Sequence, residues 1–133
     1  MLLVPALLAL LPLACGGGGP EMGSVSGKVT YKSQPLTKGT ITFVSQKGGR
    51  NATGQIGSDG TYTLQTENPG DGAEVGDYKV TISAKEEQIL DYIPPKPVPP
   101  KYLAPEKFEK PDTSGLTAAV KSGRNTFDFN LTD

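Results

Sequence analysis

The sequence predicts an all-β protein, a seven-stranded antiparallel β-sandwich, and three observations carry that prediction. Between Ile56 and Ala84 apolar residues recur at every second position, at Tyr62 and Leu64 and then at Tyr78, Val80, Ile82 and Ala84, with polar residues between them. This is the period of a strand with one buried face. The 17 Gly and 12 Pro are more than average usage gives, and many of them sit where short strands would need turns. The apolar fraction is 35% and the aromatics are five Tyr and four Phe with no Trp, so the core must be built from alternating positions rather than long apolar runs.

Taken in order, the first strand is expected at 25–31, with Val25, Val29 and Tyr31 on one face. Gly27 lies on that same face and points to a close neighbour or a bulge. Pro35 turns the chain, and 39–45 gives a second strand with Ile41 and Phe43 inward, the two strands forming a hairpin. A polar loop containing Gly48 and Gly49 precedes a third strand at 52–56, and Ser58-Asp59-Gly60 supplies a tight turn into the fourth at 61–64. Pro69-Gly70-Asp71-Gly72 leads into the fifth at 76–83. Strand six is expected at 116–120 and strand seven at 126–131, with Phe127, Phe129 and Leu131 inward. No helix, repeat or second domain is expected.

Residues 85–112 read differently, because they hold seven of the 12 prolines, including Pro94-Pro95, Pro97 and Pro99-Pro100. Such a segment is expected to be extended and to form no ladder. A loop this long in a compact domain points to function or disorder. It reads first as a crossing between the sheets pinned by Tyr92, Tyr102 or Phe108, and second as a ligand surface on which Tyr92 and Tyr102 stack on a sugar or a peptide.

Composition narrows the chemistry. Net charge is −1, with 13 basic and 14 acidic residues spread along the chain, so no basic face neutralises phosphates and nucleic acid is not an expected partner. The absence of His removes Ser-His and Cys-His nucleophile pairs together with the commonest metal ligand. Ser114 has no His and no evident Lys beside it in sequence and reads as a strand-entry residue. Asp59, Asp71, Glu74 and Asp77 gather in predicted loops, where carboxylates and carbonyls can hold Ca²⁺. Their spacing matches no EF-hand and Asp beside Gly is what a turn uses, so no metal or cofactor is expected, Asp59, Asp71 and Asp77 being the nearest candidates. A carboxylate pair for glycoside cleavage needs no His, which keeps a small hydrolase of envelope glycans as the alternative to a non-catalytic protein.

Residues 1–14 are almost wholly apolar but too short to cross a hydrocarbon core, which takes about 20 helical residues, and they read as a signal-peptide core. The run ends at Leu13-Ala14-Cys15, followed by four glycines and Pro20. A small residue before the only Cys, then a glycine tract, resembles the lipobox of bacterial lipoproteins, where the peptide is cut before the Cys and its thiol and amine are acylated. That family usually has Leu three places before the Cys and a basic residue near the start. Here Pro12 takes that place, Leu11 stands one earlier, and no basic side chain precedes Cys15. The plainer reading of Cys15 is a spare thiol after an ordinary secretory signal. The resemblance implies that Cys15 carries lipid (palmitate among the acyl groups), that 15–23 is a tether, and that the protein sits on a membrane outside the cytoplasm. Gly16, where an Asp often marks inner-membrane retention, implies the outer membrane.

The succession Val25-Ser26-Gly27-Lys28-Val29, Pro35-Leu36, Gly39-Thr40-Ile41-Thr42-Phe43, Asp59-Gly60-Thr61-Tyr62 and Gly76-Asp77-Tyr78-Lys79-Val80-Thr81-Ile82 resembles the carboxypeptidase regulatory-like domain, an Ig-like sandwich akin to transthyretin. Thr113-Ser114-Gly115-Leu116-Thr117 and Asn125-Thr126-Phe127-Asp128-Phe129 resemble the endings of small bacterial lipoproteins built from a lipobox and this one domain. The resemblance implies one domain over 24–133, without catalysis, that binds an envelope polysaccharide or protein or serves as a structural component.

Overall fold

The structure, a computed structural model, describes residues 21–86 and 89–133. The leader expected at 1–14, and Cys15 with its glycines, lie outside the described residues.

In chain order the strands are β1 (Met22–Tyr31), β2 (Gln34–Pro35), β3 (Thr40–Ser45), β4 (Ala52–Gln55), β5 (Thr61–Thr63), β6 (Ala73–Glu74), β7 (Gly76–Ser83), β8 (Lys85–Glu86), β9 (Lys101–Tyr102), β10 (Leu116–Val120), β11 (Gly123–Thr126) and β12 (Phe129–Leu131). The protein is all-β, and the strands read from the alternation are present, except that of the last, expected at 126–131, only Phe129–Leu131 form β12 and Thr126 ends β11, a strand that begins at Gly123 where none was expected. One sheet is organised along β1: β11 and then β12 lie on one edge, and β6, β5 and β2 pair in turn with the other. The second sheet has the order β10-β7-β3-β4, antiparallel throughout.

Both sheets turn apolar side chains into one core, Val25, Val29, Tyr62, Leu64 and Leu131 from the first sheet and its flank facing Ile41, Phe43, Tyr78, Val80 and Ile82 from the second. Phe43, fully buried, stands at the contact, its ring 5.7 Å from Tyr78, 5.9 Å from Phe127 and 6.3 Å from Phe129. Tilted and edge-on aromatic pairs of this kind add about 0.5–1.5 kcal/mol each beyond their buried area.

Four expectations are corrected. First, the pairing is not wholly antiparallel: β11 and β12 run parallel to β1, which is possible because nearly the whole chain separates them and no tight turn has to join them. Second, the strands at 25–31 and 39–45 do not form a hairpin. β1 turns through Lys32 and Ser33, both at positive φ, into β2, and Pro35, lacking an N–H, ends that ladder. Leu36 then buries itself and Gly39, at φ 137° and with no Cβ to meet the Ser83 carbonyl, delivers the chain to the second sheet.

Third, 85–112 does not cross between sheets, since β7 before it and β10 after it are neighbours in one sheet. Fourth, it is neither free of ladders nor of helix: β8 pairs with β9, and a 3₁₀ turn at Glu106–Glu109 is followed by a single helical turn, α1 (Pro111–Ser114). Pro111 opens α1 with its φ already helical and Gly115, at φ 69°, closes it. Four-residue turns leave no periodicity to read. They cover β7 from outside, with Phe108 buried, Glu109 accepting a hydrogen bond from the Ser83 hydroxyl at 2.9 Å, and Thr81 buried beneath.

The break between β11 and β12 is built around Gly27. The Phe127 N–H donates to the Ser26 carbonyl at 2.9 Å, but the Lys28 N–H is taken by the Asp128 carboxylate at 2.9 Å instead of a backbone carbonyl. The Phe127 carbonyl thus freed accepts the Tyr62 hydroxyl at 2.6 Å, passing over Gly27, where a Cβ would overlap that oxygen. The close neighbour expected at Gly27 is therefore the Phe127 backbone.

Gly27→Ala is expected to cost about 2–3 kcal/mol by overpacking, read from chemical denaturation. Tyr62→Phe is expected to cost about 1–3 kcal/mol by orphaning the Phe127 carbonyl. Burial, and then the charge of Asp128, push the Tyr62 phenol above its ordinary value. A phenol raised in the folded state contributes stability that is whole below its unfolded value of about 10 and is lost as the pH climbs toward the folded value. Tyr62→Phe should therefore show a shallower loss of stability at alkaline pH than the native chain.

Candidate functional site

β1 gives the domain two ends. At its start Met22 faces Glu74 and Gly23 faces both Ala73 and Gly123. At its finish Tyr31 faces Gln34 and Leu131. Residues 84–104 leave and return at the finishing end, where Leu103 shares a hollow with Tyr31, Pro35 and Leu36. The chain thus enters at one end and displays its longest loop at the other.

The base of that loop is closed twice. Lys85 and Glu86 pair with Tyr102 and Lys101, and the Leu103 and Ala104 N–H groups both donate to the Ala84 carbonyl, at 2.8 and 3.3 Å. Beyond the closure the apolar side chains turn outward. Ile89 is 97% exposed, Ile93 96% and Tyr92 66%, with Leu90, Val98 and Tyr102 also exposed. Among the described residues, Val75 is the one large apolar side chain exposed elsewhere. Single exposed apolar residues are ordinary; here six of them fall on one loop. Tyr92 and Tyr102 accordingly do not pin the loop, a task that falls to Phe108 and Ala104, both buried.

The acidic residues are engaged locally. Asp59 accepts the Thr61 hydroxyl at 2.6 Å and the Thr61 N–H at 3.1 Å, and these bonds hold its carboxyl below the ordinary value. Asp71 accepts three backbone N–H groups, from Thr66 at 2.6 Å and from Glu67 and Asn68 at 3.0 Å each, wrapping 66–71 around one carboxylate. Glu74 accepts the Arg50 N–H at 3.4 Å and Asp77 stands exposed at the start of β7. Asp59 lies toward the finish of β1, where Gly60 bonds Val29, whereas Glu74 lies beside its start. Among the described residues no three acidic or sulfur side chains gather as a metal site. Ser114 is buried at the end of α1 with its hydroxyl accepting the Leu116 N–H at 3.3 Å, so it caps the helical turn.

A groove that sequence reasoning missed runs between β4 and β5, with a volume of about 370 Å³. Thr53, Gly54, Gln55, Thr61, Thr63 and Gln65 line it, all uncharged. It exists because β4 and β5 belong to opposite sheets and are tied only beyond the end of β5, by a bridge of Thr53 with Gln65 at 2.8 and 2.9 Å. No local pattern announces it, since alternating Thr and Gln are also what any solvent face of a strand carries.

Asp71→Ala is expected to release the loop at 66–71 and to cost about 1–3 kcal/mol, because three N–H groups lose their acceptor. Hydrogen exchange at Glu67 and Asn68 should rise while exchange in β3 and β7 stays slow. A scan against protein-family models and searches of the curated proteins and of the solved structures find no match to this chain.

Proposed function

We propose that this chain is a non-catalytic, lipid-anchored binding module of a bacterial cell envelope, held outside the cytoplasm by an acylated Cys15, on the outer membrane, and presenting the loop at 84–104 to a protein partner. One observation carries the reading: the entry of the chain and the exposed apolar loop occupy opposite ends of β1. Six residues from Gly16 to Glu21 reach at most about 20 Å, so the anchor holds the domain close to the bilayer. The ten residues of β1 then span about 30 Å and set the loop well away from it.

The fold we attach to it is a transthyretin-like sandwich of the carboxypeptidase regulatory-like kind. Two facing sheets and the order of the long strands support it, and the close approach at Gly27 suits the motif that carries the resemblance. An envelope polysaccharide is the second ligand class, favoured by the uncharged Thr and Gln groove between β4 and β5. Glycan hydrolysis has less support, because no carboxylate lines that groove and Asp59 and Asp71 each serve their own turn.

Metabolic labelling with a fatty acid, followed by fractionation, tests the anchor. The native chain is expected to carry label and to sediment with membranes, and Cys15→Ala to lose both. A native chain that is unlabelled and soluble outside the cytoplasm would overturn it.

A further inference from the structure

We infer that residues 96–101 are a polyproline II ligand for a partner protein whose recognition groove is lined by aromatic rings and rimmed by carboxylates. The inference deepens the reading of the chain as a binding module and rests on it, but not on the lipid anchor.

The backbone of this stretch has little freedom. Proline holds φ near −65°, and a residue before proline is driven out of the helical region. In Lys96-Pro97-Val98-Pro99-Pro100 every residue is a proline or precedes one. Pro95 is followed by Lys96, which leaves its ψ free, and the chain bends at Pro95 and Lys96, with no further bend or turn through 97–100. No peptide bond among the described residues is cis, and no residue from 89 to 104 has positive φ. Among the described residues, 89–100 enter no ladder and no backbone–backbone hydrogen bond. The prolines have no N–H to give, which leaves a run of carbonyls as the polar face.

The side chains are where a reader would need them. Pro97, Val98 and Pro99 are exposed and Pro100 is half-buried, with Lys96 and Lys101 exposed at the two ends. Polyproline II has three residues per turn, so Pro97 and Pro100 share an edge and present the P-x-x-P spacing that aromatic-lined grooves take. The flanking lysines select a groove with an acidic rim. The double closure at β8–β9 and at Ala84 holds the strand before any partner arrives, so little ordering entropy is spent on binding.

A bilayer is the poorer occupant. It has no donors for a row of proline carbonyls, whereas an aromatic groove covers one edge and leaves the rest in water.

The chain has no Trp, so the groove tryptophan of a probe can be read without background. The full chain, extracted in detergent, is titrated against two purified probes, an SH3 domain and a WW domain. The expected result is a saturable micromolar change in the fluorescence of at least one probe, weakened about tenfold or more in the P97A/P100A double variant. Lys121→Ala, in an exposed turn outside the loop, should bind as the native chain does. Val98→Asp, which keeps every proline, provides a second readout should the double variant melt early, and it too should weaken binding. No saturable signal with either probe, or unchanged binding by both loop variants, would overturn the inference. Fatty-acid labelling separates the two proposals: an unlabelled chain that binds the probe loses only the anchor, and a labelled chain that does not bind loses only the polyproline ligand.

Discussion

The fold depends on the way both edges of β1 are used at once. A ten-residue strand that pairs with β6, β5 and β2 on one side and with β11 and β12 on the other makes the chain's first and last strands neighbours. The tightest point of that arrangement is at Gly27, where the backbone of Phe127 comes too close for any Cβ and the Tyr62 hydroxyl takes the carbonyl that the ladder leaves free. Three segments distant in sequence are joined there by one partly buried polar contact. Such a contact is costly when half made and specific when whole, so it sets the register of the first sheet as well as stabilising it. Phe43 then transmits that register to the second sheet, because its ring lies against both Phe127 and Phe129.

A sheet pinned along a single long strand has well-separated ends, and the domain treats them differently. The end where β1 starts is bound by its own loops: Asp71 gathers three N–H groups, and Glu74 accepts from Arg50. The end where β1 finishes carries a long loop whose second half is packed and whose first half is not. Phe108, Ala104 and the helical turns that follow are bound to β7, while Ile89, Tyr92 and Ile93 face solvent. Exposing so much apolar surface forgoes about 25 cal/mol for each Å² left in water.

Past Ile93 the prolines restrict the backbone, with Val98 exposed among them. A flexible apolar loop would collapse onto the nearest groove, but a chain whose φ angles are set by proline cannot fold back on itself without a break. The bend at Pro95 and Lys96 opens the stretch, where Pro95 is followed by a residue other than proline. From there the stretch runs out to the β8–β9 closure as a stiff spacer, and this stiffness is what keeps its side chains presented.

The alternation at 25–31, 39–45, 61–64 and 76–83 was enough to find the long strands and their buried faces, because a period of two is a property of each strand alone. Phe43, Val80 and Ile82 are buried as that pattern requires, and Gly27 was marked by its place among them. Which strands pair is a different matter. Nothing local distinguishes 39–45 as the continuation of a hairpin from 39–45 as the centre of another sheet, and the choice was made by Pro35 ending one ladder and Leu36 being buried beyond it. The groove between β4 and β5 follows from how the sheets diverge, and neither the parallel pairing of β1 with β11 and β12 nor the outward turn of Tyr92 has a local signal in the sequence. By itself the sequence determined the class of fold, the faces of its strands and the stiffness of the proline stretch, since these depend on neighbours in the chain. Only the tertiary structure decided the partners of each strand and the opposite placement of chain entry and loop, because these depend on contacts between residues as far apart as Gly27 and Phe127.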